Sequence, residues 1–558
     1  MQHFNLLTRR GFFDRSFKLG LGVALSTLVD IPLVVKRALA EGTIGVPGAN
    51  GKTKKLLFIF LRGANDALNS VIPIQDTAYN LTNRPTLMIP KVPGADYLTT
   101  GGSFDPTQYL NSGGTLRSAA DPTFAYAGAV PLGNGFAALH PSLKFLAPVY
   151  NAGDLALVHR VGYPKQSRSH FDSQNYWETG NPNNNLVKDG ILYRAMLESG
   201  IANSAPLTGV SVQSSLPLVL RGSSAAMTNL TDPTRYNLLG IPNTTAGNSK
   251  ADAAIQAANG FPFADKKNRE LLNLQYKNLT DTLSIFATLD FSEAGNSFRD
   301  DPATDADTTW ANAATGGYYL FPTTNAKNGG WDRGAGVTDA QKYVVDTGAY
   351  GFFNNLKAAS LILNKTDAIV AGTEVGGFDT HSTQGTLTGA HPNLQRRIAW
   401  AIYALRKYFM KYGDKATWDN LVIVTLSEFG RTTVENADHG TDHAEAGVMF
   451  IAGGAVKGYN KGNTTGVFGC SLTEFPTGSP LNWVPGQTGS MFGASNRYLK
   501  RAYDYRSVLG KLIRDHLGAT QNQLNRIIPG YALTGERLLG GGTSSIDGVP
   551  IIGEPNIV

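Results

Sequence analysis

Cysteine is nearly absent from this chain: Cys470 is the only one in 558 residues. An intramolecular disulfide is therefore excluded, and folding needs no oxidising compartment. Cys470 lies in Gly-Val-Phe-Gly-Cys with no base close by, and is expected to be buried and inert. Long apolar runs are also missing. No segment reaches the roughly twenty apolar residues that cross a bilayer, so no stable membrane anchor is expected. Charge of one sign is scarce too. Of the formal +6, the first 40 residues supply +4, through Arg9, Arg10, Arg15, Lys18, Lys36 and Arg37 against Asp14 and Asp30. The remaining +2 is no electrostatic footprint for nucleic acid, and no basic stripe carries interleaved aromatics.

The N-terminus is distinctive. Thr8-Arg9-Arg10-Gly11-Phe12-Phe13 sets an arginine pair before two aromatics, an uncharged stretch runs from Leu19 to Val29, and Ala38-Leu39-Ala40 follows. That order, charged then apolar then small-x-small, is that of a cleavable signal. The arginine pair favours the twin-arginine route. Residues 1–40 are accordingly read as a signal peptide handed to the twin-arginine translocase. Residues 41–558 are read as one exported, periplasmic or secreted domain.

Four short apolar runs read as buried strands: Lys55–Leu61, Leu155–Val161, Asp367–Ala371 and Leu421–Leu426. Between them lie helical patterns, clearest from Pro392 to Met410, where Leu394, Ile398, Ile402, Leu405 and Phe409 form one stripe. Glu270–Leu289 and Tyr503–Leu517 are similar. Alternating strands and helices predict an α/β fold, with a mostly parallel central sheet and helices on both faces. A stretch rich in Asn, Thr, Gly and Asp, at about 205–336, breaks the rhythm and is expected to be an insertion.

Ligands of open α/β sheets bind outside the carboxyl ends of the strands. Each of the four runs is followed by polar functional groups there: Asp66; Ser167, Arg168, Ser169 and His170; Asp379 and His381; Glu428 and Arg431. Of nine histidines, His170, His381 and His443 stand in Gly- or Ser-rich turns beside an acid or hydroxyl, the last in Gly-Thr-Asp442-His443. Glycine-rich turns let several loops converge, as a metal site requires. Oxygen and imidazole donors without thiolate suit zinc, manganese, magnesium or calcium. His140, His159 and His391 are expected to be structural, and His516 to lie on the surface.

The segments Gly-Ala-Asn-Asp66-Ala-Leu-Asn, Ser-Arg-Ser-His170-Phe, Gly-Gly-Phe-Asp379-Thr-His381, Ser-Glu428-Phe-Gly-Arg-Thr and Gly-Thr-Asp-His443 occur in this order. Together with the leader, they resemble a widespread bacterial family of exported, sulfatase-like proteins within the alkaline phosphatase superfamily. The resemblance spans about Lys55 to Leu517. It implies an alkaline phosphatase/sulfatase-like core holding one or two divalent metal ions. Asp66, Asp379, His381, Glu428 and His443 would be ligands, with His170, Asp442 and His439 in support. Ser167 or Ser169 would be the nucleophile, and Arg168 or Arg431 would neutralise the non-bridging oxygens. The implied substrate is a small-molecule or polymer-linked phosphate or sulfate ester.

The chain departs from that pattern. Phe429 follows Glu428 where the phosphatases place a histidine ligand, so a second metal site is one ligand short unless His170 or water fills in. The Asp379-to-His381 spacing is also tighter than the usual pair. Each residue also has a plainer reading: Asp66 as a helix cap, the serines as turn residues, Glu428 as half of a buried ion pair. The rival to a hydrolase is a degenerate member that binds a ligand, polysaccharide or partner protein without turnover.

Overall fold

The computed structural model describes residues 44–47, 51–74, 78–89, 129–199, 207–223, 227–232, 281–292, 297–300, 319–324, 345–470, 497–533 and 535–558, with a few isolated positions between. The leader, most of the stretch at 205–336 and most of the helix expected at Glu270–Leu289 lie outside them. Among the described residues, no helix is long and apolar enough to cross a membrane.

The molecule is mixed α/β, organised on a nine-stranded, mostly parallel sheet. Its strands are β1 (Lys55–Leu61), β2 (Leu155–Gly162), β3 (Gly209–Val212), β4 (Thr228–Leu230), β5 (Val370–Val375), β6 (Leu421–Leu426), β7 (Gly447–Ala452), β8 (Val467–Phe468) and β9 (Tyr503–Asp504). Their order is β8-β2-β7-β6-β1-β5-β3-β4, with β9 paired to β2. Strand β1 is central and parallel to both neighbours, with Leu56 to Leu61 opposite Val370 to Val375 on one side. Two of the strands, β3 and β4, fall inside the stretch expected to be an insertion and extend this sheet.

β1 is an unbroken apolar run because both of its faces are covered. Leu57, Ile59 and Leu61 face one core, while Leu56, Phe58 and Phe60 face another. The first core is covered by α4 (Tyr350–Lys365) and α5 (Ala390–Lys411). On the opposite face lie α2 (His170–Thr179), α3 (Ile191–Glu198), α6 (Tyr505–Lys511) and α7 (Gln521–Ile527). A single turn, α1 (Ala67–Ser70), follows β1.

The expected β1 and β6 match their observed bounds, but β5 begins three residues later than its apolar run suggests. Asp367 is exposed and ion-paired with Lys415. The pairing with β1 continues instead through Gly372, where any side chain would strike the Phe58 ring. The helix expected over Tyr503–Leu517 is likewise broken: α6 passes into a π-turn at Leu512–His516. His516, expected at the surface, is 3% exposed because its Nε2 meets the Lys55 carbonyl 2.8 Å away.

Candidate metal centre

β2, β6, β1 and β5 run parallel, so their carboxyl ends share one edge of the sheet. β7 is antiparallel to β6 and β2, which brings its amino end, and His443 just before it, to that same edge. Five chain segments therefore meet at one place. Two glycines let them come close. A side chain at Gly63 (φ +110°) would collide with the backbone of Phe378 and Asp379, and one at Gly440 with that of Thr380 and His381.

Three imidazoles point one ring nitrogen each toward Asp379 Oδ1. His381 Nε2 lies 3.1 Å from it, His443 Nε2 3.3 Å and His170 Nε2 3.4 Å. The ligand atoms of His170, Asp379 and His443 all lie within 4.8 Å of one another. His381 joins them, its Nε2 being 2.8 Å from His443 Nε2.

The other ring nitrogen of each histidine faces an oxygen. His170 Nδ1 is 2.8 Å from Glu428 Oε1, His443 Nδ1 is 2.8 Å from the Arg168 carbonyl, and His381 Nδ1 is 3.2 Å from Asp442 Oδ1. A carbonyl or carboxylate only accepts, so a proton on Nδ1 satisfies each of these contacts and leaves Nε2 as the atom that faces Asp379. In that form the three Nε2 lone pairs face one carboxylate oxygen, Asp379 Oδ1. Such an arrangement of facing lone pairs is favourable only around a cation or a shared proton. His170 Nε2, although buried, has no hydrogen-bond partner among the described residues. Zinc ligands about 2.0–2.1 Å from the ion stand roughly 3.3 Å apart at the corners of a tetrahedron. The contacts of 3.1 to 3.4 Å to Asp379 Oδ1 are close to that spacing, and His170, Asp379 and His443 form the set whose ligand atoms are mutually near.

Charge in the group is unevenly spread. Burial opposes ionisation of Asp379, yet the Arg431 hydrogen bond and charge, with His170 and His381, hold its carboxyl down to about 2. The Glu428 hydrogen bond raises the His170 pKa, whereas burial lowers that of His443. Asp379 and His381 are 47% and 44% exposed at their side chains, whereas Glu428 and Arg431 are buried. The centre is therefore open on one side and rigid on the other.

Not every residue singled out in the sequence reaches this centre. Asp66 is fully buried and caps α1, accepting from the backbone of Leu68 and Asn69. Its carboxylate is held by Arg84, at 2.7 Å and 3.2 Å, and by Gln384 Nε2 at 2.7 Å. Burial would raise its pKa, but Arg84 keeps it at about 2. Gln384 also accepts from Thr380 and Thr441, the neighbours of His381 and Asp442, so Asp66 braces two loops of the site from behind.

Glu428 meets His170 rather than Arg431, and also accepts from Gly63 N and Gln174 Nε2. Arg431 spends its donors within the protein, on the carbonyls of Ala64, Gly63, Phe378 and Thr441 and on Asp379. Ser169 caps α2 through Asp172 N, while the Ser167 hydroxyl accepts from Ser169 N. Arg168 is exposed and lies over the Tyr498 ring. His439, 63% exposed, meets Glu435 and Thr86 away from the centre. Phe429 packs its ring against both His170 and His443, at 4.8 and 4.9 Å between centroids. Arg84, Gln384 and Arg497, which bonds Asp442 at 2.8 Å, carry no sequence signal that marks them.

The profile of a family described as "Protein of unknown function (DUF1501)" matches residues 53–469. The chain belongs to that family. Its match runs from β1 to β8 and so includes every loop of the centre. No curated protein and no solved structure matches the chain.

Proposed function

We propose that this DUF1501 protein is a hydrolase of phosphate or sulfate esters with one divalent metal ion held by His170, Asp379, His381 and His443. The observation that carries the reading is the convergence of three Nε2 atoms, each oriented by an oxygen at Nδ1, on one carboxylate. Glu428, Asp442 and the Arg168 carbonyl are then the supports that fix ring orientation and raise ligand basicity. Three imidazoles weigh against magnesium and calcium, which prefer oxygen ligands, and favour zinc. The enclosure of Asp66 by Arg84 supports one ion rather than two.

A divalent ion at this point supplies Lewis acidity to a phosphoryl or sulfuryl oxygen. The chain's own residues do the rest. Arg431 fixes the Asp379 carboxylate, and two exposed arginines next to the site, Arg168 on Tyr498 and Arg497 on Asp442, add positive charge suited to an anionic ester. Since both candidate serines are engaged in the turn before α2, water is favoured as the nucleophile. The mostly parallel sheet, with its centre at the carboxyl edge, agrees with a sulfatase-like ancestry. The leader agrees with export by the twin-arginine route.

Metal analysis of the purified chain, with turnover of aryl phosphate and aryl sulfate esters, tests the reading. One bound ion per chain is expected, and turnover should vanish in Asp379→Ala and His443→Ala. A chain that takes up no metal on reconstitution would overturn it. A chain that binds metal but hydrolyses neither ester would instead favour a binding protein. For export, replacing Arg9 and Arg10 by lysine should trap the protein in the cytoplasm, as cell fractionation would reveal.

A further inference from the structure

Beside the metal centre lies a cavity of about 280 Å³, with Lys165, Gln166, Glu445, Lys500, Arg501 and Asp547 in its wall. It adjoins two ligand loops. Glu445 is two residues past His443, so their Cα atoms are at most about 7 Å apart. Gln166 leads into the turn that ends at His170, and its amide donates to the Glu428 carbonyl at 3.2 Å.

The wall carries charge that the protein leaves unspent. The Glu445 carboxylate is half-buried, and Arg168, Lys500 and Arg501 all act on it electrostatically, yet it forms no ion pair or hydrogen bond among the described residues. Lys165 and Lys500 have no acidic partner there either. Arg501 is 6% exposed and gives its two terminal nitrogens to Asp547, so its charge is largely spent within the wall. Cations that stop short of a carboxylate across a cavity leave room for a group that meets both. A ligand's anionic group would satisfy the two lysines, and its hydroxyls would donate to Glu445.

We propose that this cavity is the subsite for the alcohol part of the ester substrate, and that this part is an acidic sugar or a similar polyhydroxylated anion. Its role as a substrate subsite rests on the hydrolase reading. The Arg168 side chain on Tyr498, two residues before Lys500, would line the path between the cavity and the metal centre.

Ligand-observed NMR of the full-length chain, stripped of metal by a chelator, tests this apart from the metal centre. Glucuronate should bind at least about tenfold more tightly than glucose or inorganic sulfate. The double variant Lys165→Met/Lys500→Met should weaken it roughly tenfold or more, while zinc uptake stays as in the wild type. Restoring charge with Lys500→Arg alone should keep most of the affinity. Glucuronate that binds no better than glucose or sulfate, or equally well in the double variant, would overturn the proposal. A chain that binds glucuronate as expected but takes up no zinc would instead fail the metal reading.

Discussion

Replacing Glu428 by glutamine probes the centre most directly. Glu428 is fully buried, and its Oε1 accepts from His170 Nδ1 and Gly63 N, both at 2.8 Å. Glutamine keeps the shape and one accepting oxygen but removes the negative charge facing the ring. The His170 Nδ1 proton is then held by a neutral hydrogen bond, about half as strong as the charge-assisted one, and Nε2 becomes a poorer donor to metal. Losing such a support typically weakens metal binding 10- to 100-fold, about 1.4 to 2.7 kcal/mol. Competition of the purified protein with a chromophoric chelator measures the zinc affinity, and circular dichroism checks that the variant is folded. A folded Glu428→Gln protein with unchanged zinc affinity would refute the assignment of His170 as a ligand oriented by Glu428. Glu428→Ala should be worse than glutamine, since it also strips a partner from Gly63 N.

Four further outcomes follow from the geometry. Arg84→Met leaves the Asp66 carboxylate buried without its counter-ion and should cost about 3–5 kcal/mol in urea unfolding, while Asp66→Asn should leave zinc stoichiometry unchanged. Ser169→Ala removes the cap of α2 and should cost about 1 kcal/mol in stability with turnover of aryl esters retained; lost turnover in a folded variant would restore the serine as nucleophile. Lys55, buried with its ammonium on the Thr366 and Ala368 carbonyls, has its pKa pushed down by burial to about 7. Between about pH 7 and 10 the unfolded chain holds this proton more tightly than the folded one, so stability gained from this group rises with pH by up to about 1.4 kcal/mol per unit. The stability advantage of Lys55→Met over wild type should therefore be largest below pH 7 and shrink toward pH 10.

The sequence alone determined a good deal here, because some signals are local. A run such as KLLFIFL can be stable only where both faces are covered, and β1 proved to be the centre of the sheet. The stripe from Leu394 to Phe409 marks α5 because one helical face must be buried. Asp379, His381 and His443 were legible as a group because small and glycine-rich turns at strand ends have little packing to do.

Distance decided the rest. The antiparallel sense of β7 brings His443 to the common edge, and no local pattern encodes that sense. Glu428 and His170 exchange their expected places, one as support and the other facing Asp379, because a 2.8 Å contact between them fixes which ring nitrogen is free. Asp66 turns from ligand to brace because Arg84, eighteen residues on, reaches it inside the core. Phe429, out of place in a list of ligands, packs against His170 and His443 once the loops are folded together. Residue type and local pattern show which groups are available, but a coordination shell is a matter of a few ångströms between residues hundreds of positions apart, and only the folded chain sets those.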